Sequence, residues 1–133
     1  MTFRLYDWNH VDAKTGKPRA LQVDQALACV DFGEWAGGLV APVVETTTPV
    51  ERARLFHCEQ FWLSRLHGDS PFTVGAAGVP IVLVCIEGAG QVEHCGATYA
   101  VGKGDVFLLP AVAGQFSFQP SSTVSVLEIE IPG

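Results

Sequence analysis

Charge is scarce in this 133-residue sequence: Asp, Glu, Lys and Arg together make up 17%, and the basic share is the thinner, eight Lys and Arg against fourteen Asp and Glu for a net of −6. No stretch interleaves basic residues with aromatics, so the electrostatic footprint for a phosphate backbone is missing and nucleic acid is not expected as a partner. Long apolar runs are lacking too. The strongest, Val79 to Ile86, is far too short to cross a bilayer, and Met1 to His10 has neither a basic region nor an apolar signal core. The expectation is a cytoplasmic protein that does not contact membrane. There is no Cys-x-x-Cys pair either: Cys29, Cys58, Cys85 and Cys95 lie 29, 27 and 10 residues apart, which suits neither a zinc knuckle nor a disulfide framework. Reduced, mostly buried thiols are expected.

What is present is apolar material, 48% of the chain, enough for one ordinary domain with one core. A polar, turn-rich loop from Val11 to Ala20 precedes a short amphipathic helix predicted over Leu21 to Val30, with Gly33 to close it. Gly37, Gly38, Pro42 and Pro49 then mark a loop with at most one short strand. From Arg52 onward, eight short strands are predicted: Leu55–Arg65, Phe72–Val74, Val79–Ile86, Gln91–His94, Ala97–Val101, Val106–Leu109, Gly114–Phe118 and Val124–Ile131. Turns rich in Gly and Pro separate them, the pattern of an antiparallel sandwich or barrel. Residues 1–50 are read as an N-terminal extension packing on a barrel of residues 51–133, a single compact domain overall.

Glu87-Gly88-Ala89-Gly90 and Gly104-Asp105-Val106-Phe107-Leu108-Leu109-Pro110 place glycines at hairpins and a proline at a strand end. The Gly-Asp-x-x-x-x-Pro spacing resembles the second conserved segment of the cupin superfamily, which implies a mainly β, cupin-type jelly-roll β-barrel with one short N-terminal helix. In metal-binding cupins that segment runs on to a His five residues beyond the Pro. Here that residue is Gln115, and Phe56 to Leu66 supplies only His57 and Glu59, so no metal ligand set is assigned.

A second set of residues lies outside the barrel: Phe3-Arg4-Leu5-Tyr6-Asp7-Trp8, then Gly16-Lys17-Pro18-Arg19-Ala20-Leu21 and Ala26-Leu27. With Cys58-Glu59-Gln60-Phe61, Ile86-Glu87-Gly88, Gly104-Asp105 and Pro110-Ala111, it resembles the C-terminal cupin portion of the type I mannose-6-phosphate isomerase family along nearly the whole chain. The resemblance implies aldose–ketose isomerisation of mannose 6-phosphate and fructose 6-phosphate in carbohydrate metabolism. That chemistry passes through an enediol and needs a base, a cation or metal for the oxyanion, and positive groups for the phosphate. It also implies that the family's zinc ligands lie upstream of the aromatic-Arg-x-Tyr-Asp-Trp segment with which this chain opens, so none carries over. No cofactor is expected here, although the full-length family holds zinc. Two positions inside the match depart from the family pattern, His10 for an Arg and Gln22 for a His.

Arg4 matches the family's catalytic Arg, and a guanidinium forks onto phosphate or enediolate oxygens; the alternative is an ion pair with Asp7 or exposure at a loose N-terminus. Tyr6 and Trp8 are candidates to sandwich a sugar ring, or else pack on the barrel. Lys17 and Arg19 are candidates for phosphate, or else solvated loop charges. Catalysis by Cys95 beside His94 lacks a third, orienting group. Glu128 and Glu130 are read as a solvated strand face, with Leu127, Ile129 and Ile131 on the other. The expected reading is an isomerase-like scaffold that is not catalytic alone; the alternative is a non-catalytic cupin serving as a sugar-binding or interaction module. Whether the chain is itself an enzyme stays open. The expected partners are a phosphosugar ligand, a chain carrying the zinc half, or a second copy in a homodimer.

Overall fold

Apolar residues recur every second position along most of the chain's second half, and a strand buries whichever parity faces the core. The computed structural model describes residues 2–33 and 41–132. Among the described residues from Val43 onward this pattern yields two antiparallel sheets. The larger holds six strands in the order β1 (Val43–Thr46), β2 (Glu51–His57), β3 (Trp62–Gly68), β10 (Val124–Glu130), β5 (Ile81–Glu87) and β8 (Val106–Leu109). The smaller holds β4 (Phe72–Val74), β9 (Phe116–Pro120), β6 (Ala89–His94) and β7 (Ala97–Gly102). Leu66, Val126, Leu83 and Cys85 from the first sheet and Phe72, Phe118, Val92 and Val101 from the second form one buried cluster. Phe118 is fully buried and stacks on Phe72 with ring centroids 4.7 Å apart. Burying side chains of this size contributes roughly 2–3 kcal/mol each, so the two facing sheets are held mainly by this cluster.

The turns follow from particular residues. The Asp105 carboxylate accepts the Gly102 N–H at 2.8 Å, the Gly104 N–H donates to the Cys85 carbonyl at 2.8 Å, and the Cys85 N–H donates to Asp105 at 3.0 Å, so the Gly-Asp pair ties the β7–β8 turn to β5. At Gly90 a Cβ would come within 2.6 Å of the Gln119 carbonyl and 2.7 Å of the Phe118 ring, so only glycine lets β6 approach β9 so closely.

Several expectations shift. The predicted strand Leu55–Arg65 is two strands, because the chain turns over Cys58–Phe61, where the Cys58 N–H donates to the Phe61 carbonyl at 3.1 Å. The one short strand allowed for in the loop before Pro49 is present as β1, which pairs with β2 through Val43–Arg54 and Val44–Ala53. By compactness the chain divides into two units, Met1–Gly38 and Leu39–Gly133. The loop glycines Gly37 and Gly38 lie outside the described residues. Cys85 is buried, but Cys29 and Cys95 are exposed and Cys58 is half-buried, so the thiols are free as expected and less buried than expected.

In the first unit, α1 is shorter than predicted, Val23–Ala28, since Gln22 gives it no side-chain cap and its last turn tightens through Cys29→Ala26 and Val30→Leu27 bonds. Among the described residues no helix is long and apolar enough to cross a membrane.

Candidate functional site

Three neighbouring strands, β2, β3 and β10, bring charged side chains onto the core-facing side of the larger sheet, beyond the end of the apolar cluster. Register fixes this: Arg52 aligns with Leu66 and Leu66 with Val126, Arg54 aligns with Ser64 and Ser64 with Glu128, and His57 aligns with Trp62 and Trp62 with Glu130. Each row therefore points to one face. A cavity of about 260 Å³ is lined by Glu45, Arg52, Arg54, His57, Trp62, Ser64, Glu128 and Glu130.

Its charges are largely matched internally. Arg52 Nη1 donates to Glu128 Oε1 at 2.6 Å, and Glu128 is only 7% exposed. Arg54 lies 3.4 Å from Glu45, which sits at the register shift between Val44 and Thr46. Such an irregularity re-aims a side chain, here toward the arginine face. The Trp62 ring, 38% exposed, meets the His57 ring at 4.5 Å and 62°. The arrangement presents donors, acceptors and one aromatic surface, suited to a small polar ligand.

Glu128 and Glu130 thus correct the expected solvated face: they share parity with buried Val124 and Val126, and β10 is apolar enough on its other parity that Leu127 and Ile129 sit half-buried. Gln115 is exposed, and Phe116 and Phe118, not Ser117 and Gln119, face the core.

The residues singled out near the N-terminus gather in the first unit. Arg19 forks onto Asp7, Nε to Oδ2 at 2.8 Å and Nη2 to Oδ1 at 2.6 Å, while Arg4 Nε lies 3.5 Å from Asp7. The Arg19 hydrogen bond holds the Asp7 carboxyl below its ordinary 3.8; burial opposes it as the next-largest effect, and the nearby charges of Arg19, Arg4 and His10 add to the lowering. Gln22 Oε1 accepts the Arg4 N–H at 3.1 Å, and the Gln22 N–H donates to the Arg4 carbonyl at 2.9 Å, so this departure from the family pattern fastens the Arg4 segment to the start of α1. Tyr6 and Trp8 touch edge-on, centroids 5.3 Å apart at 73°, so they do not form two parallel walls. Trp8 is 86% exposed and, with Asn9, occupies a left-handed turn closed by the His10 N–H on the Asp7 carbonyl at 2.8 Å. Lys17 is exposed, and its carbonyl accepts the Asp12 N–H at 3.0 Å.

His94 stacks on Phe116 at 4.2 Å, with Nε2 2.9 Å from the Ala113 carbonyl and 3.6 Å from Cys95 Sγ. A carbonyl only accepts, so Nε2 carries the proton and is no base toward the thiol.

Zinc, which the family resemblance implies for longer chains, takes three or four N, O or S ligands. Among the described residues no three His, Cys, Asp or Glu side chains converge, and Glu45 and Glu128 are both engaged by guanidiniums. The described residues do not fit a zinc ion.

No family model and no curated protein sequence matches the chain. Solved structures do. Mannose 6-phosphate isomerase from Bacillus subtilis aligns with a TM-score of 0.71 and 21% identity over 98% of this chain and 40% of the isomerase. The cupin domain of Cnp3 from Schizosaccharomyces pombe aligns at 0.56 and 16% identity over 63% of this chain and 65% of that domain's chain. The chain has a cupin fold. Ectoine synthase from P. lautus shares it, with a TM-score of 0.59 and 19% identity over 68% of this chain and 69% of the synthase. At these identities the likeness concerns architecture alone, and it meets the jelly-roll expectation. The chain spans two fifths of the Bacillus isomerase's length.

Sequence reasoning passed over Arg52, Arg54, Glu45, Trp62 and Ser64. A signal existed: Arg52-x-Arg54 and Glu128-x-Glu130 are opposite charges at strand period on two strands.

Proposed function

We propose that this cupin is a mannose-6-phosphate-isomerase-like scaffold that binds a small sugar-class ligand in the basin between β2, β3 and β10 and does not isomerise it alone. One observation carries the reading: a polar cavity within the barrel in which arginine and glutamate side chains surround a half-exposed tryptophan. Carboxylates and guanidiniums accept from and donate to ring hydroxyls, and an aromatic ring covers the apolar face of a sugar. The same arginine–glutamate pairing leaves the cavity without a set of ligands for an electrophilic ion, and the enediol route needs such a centre or its equivalent.

Saturation-transfer NMR on the purified chain with mannose, glucose and fructose, run beside a coupled isomerase assay on mannose 6-phosphate, tests the proposal. Saturation transfer that disappears in Trp62→Ala, with no turnover, supports it. Turnover by the pure chain, or no transfer to any sugar, refutes it.

A second reading is favoured by the first unit, where Leu5, Val23, Leu27, Val30 and Phe32 are exposed and none of the described apolar side chains is buried. Exposed apolar surface of this kind marks a contact site, and it supports association with a partner chain. Co-purification with the product of an adjacent reading frame tests it. A chain that stays alone when the two are co-expressed argues against it.

A further inference from the structure

The cavity's charges do not cancel: Glu45, Glu128 and Glu130 face Arg52 and Arg54, and both guanidiniums are committed, to Glu45 and Glu128. Among the described residues Glu130 has no ion-pair partner. It stands directly across from Trp62 in the β10–β3 register. Directly opposed residues have Cβ atoms about 5 Å apart, which puts a carboxylate beside an aromatic ring. Carboxylate and ring attract the same kind of group. An ammonium is drawn to the negative face of the indole within about 6 Å of its centroid and to the carboxylate by direct charge, whereas a phosphate is repelled by Glu130 and meets arginines whose charges Glu45 and Glu128 already balance, although their remaining N–H groups stay open to neutral hydroxyls.

Resting on the sugar-binding reading, we propose that the ligand of this basin carries an amino group, as an aminosugar or similar amino-polyol does, with the ammonium held between Glu130 and Trp62 and the hydroxyls toward Arg52, Ser64 and Glu128. The preference runs opposite to the phosphosugar that the family resemblance implies.

Three probes share one ring and differ in charge: glucosamine, glucose and glucose 6-phosphate. Isothermal titration of the whole chain at low salt and about pH 6.5, where the amine is protonated, reads the order. Glucosamine is expected to bind about three- to tenfold tighter than glucose, and glucose 6-phosphate more weakly than glucose. In Glu130→Gln the glucosamine-to-glucose ratio falls to within about twofold. Trp62→Leu, which removes the ring and keeps the charge, lowers the same ratio and stands in should Glu130→Gln fail to fold. Equal binding of glucosamine and glucose, or tightest binding of the phosphate, overturns the amine preference and leaves the sugar-binding reading standing. Binding by none of the three overturns that reading as well.

Discussion

Arg52 and Glu128 are 76 residues apart in the chain, yet their side chains meet at 2.6 Å, with the carboxylate almost wholly out of water. Removing one member of such a pair strands the other. Arg52→Met is expected to destabilise the barrel by about 2–4 kcal/mol, because Glu128 stays in place without its counter-charge. The double variant Arg52→Met, Glu128→Leu is expected to return to within about 1 kcal/mol of the parent. Urea unfolding measures both; a single variant as mild as the double would show that the pair carries no desolvation penalty.

Much of the barrel was legible in the sequence, because its strands are short, bounded by Gly or Pro, and apolar at period two; Phe72–Val74, Ala97–Val101 and Val106–Leu109 fall where the pattern puts them, the second lengthened by one residue to Gly102. The Cys58–Phe61 turn was not legible, since it contains neither Gly nor Pro and runs between residues that also suit a strand. The charged basin was missed for another reason. Val124-Ser125-Val126-Leu127-Glu128-Ile129-Glu130 is apolar on both parities, so alternation alone does not choose the buried face; pairing with β3 and β5 does. Near the N-terminus the alternative reading of Arg4, a pairing with Asp7, was visible in the sequence, but the stronger hold of Arg19 on the same carboxylate came only from the fold.

Cysteine chemistry separates the four thiols. Burial pushes the Cys85 thiol above its ordinary 9.0, with the Glu87 carbonyl 3.5 Å away, and the thiolate is the reactive form. Ellman's reagent is expected to label Cys29 and Cys95 first, Cys58 more slowly, and Cys85 only on unfolding. Labelling of Cys85 in the native protein as fast as Cys95 would contradict the packing of the core around β5.

The Asp7 clamp has a defined pH range. Its folded value lies below 3.8, so the Arg19 pairing stabilises the loop above the unfolded value and that contribution is lost as pH falls through the folded one. Carboxyl NMR is expected to show Asp7 titrating below 3.8 in the parent and closer to 3.8 in Arg19→Gln. Identical midpoints in the two proteins would remove Arg19 as the cause.

Two sets of residues compete for the role of binding site, the barrel basin and the Arg4–Tyr6–Trp8–Arg19 group. Amide chemical-shift mapping during a sugar titration decides between them. The account predicts shifts concentrated at Arg52, Arg54, Trp62, Ser64, Glu128 and Glu130. Shifts centred on Arg4, Tyr6, Trp8 and Arg19, with the basin silent, would contradict it.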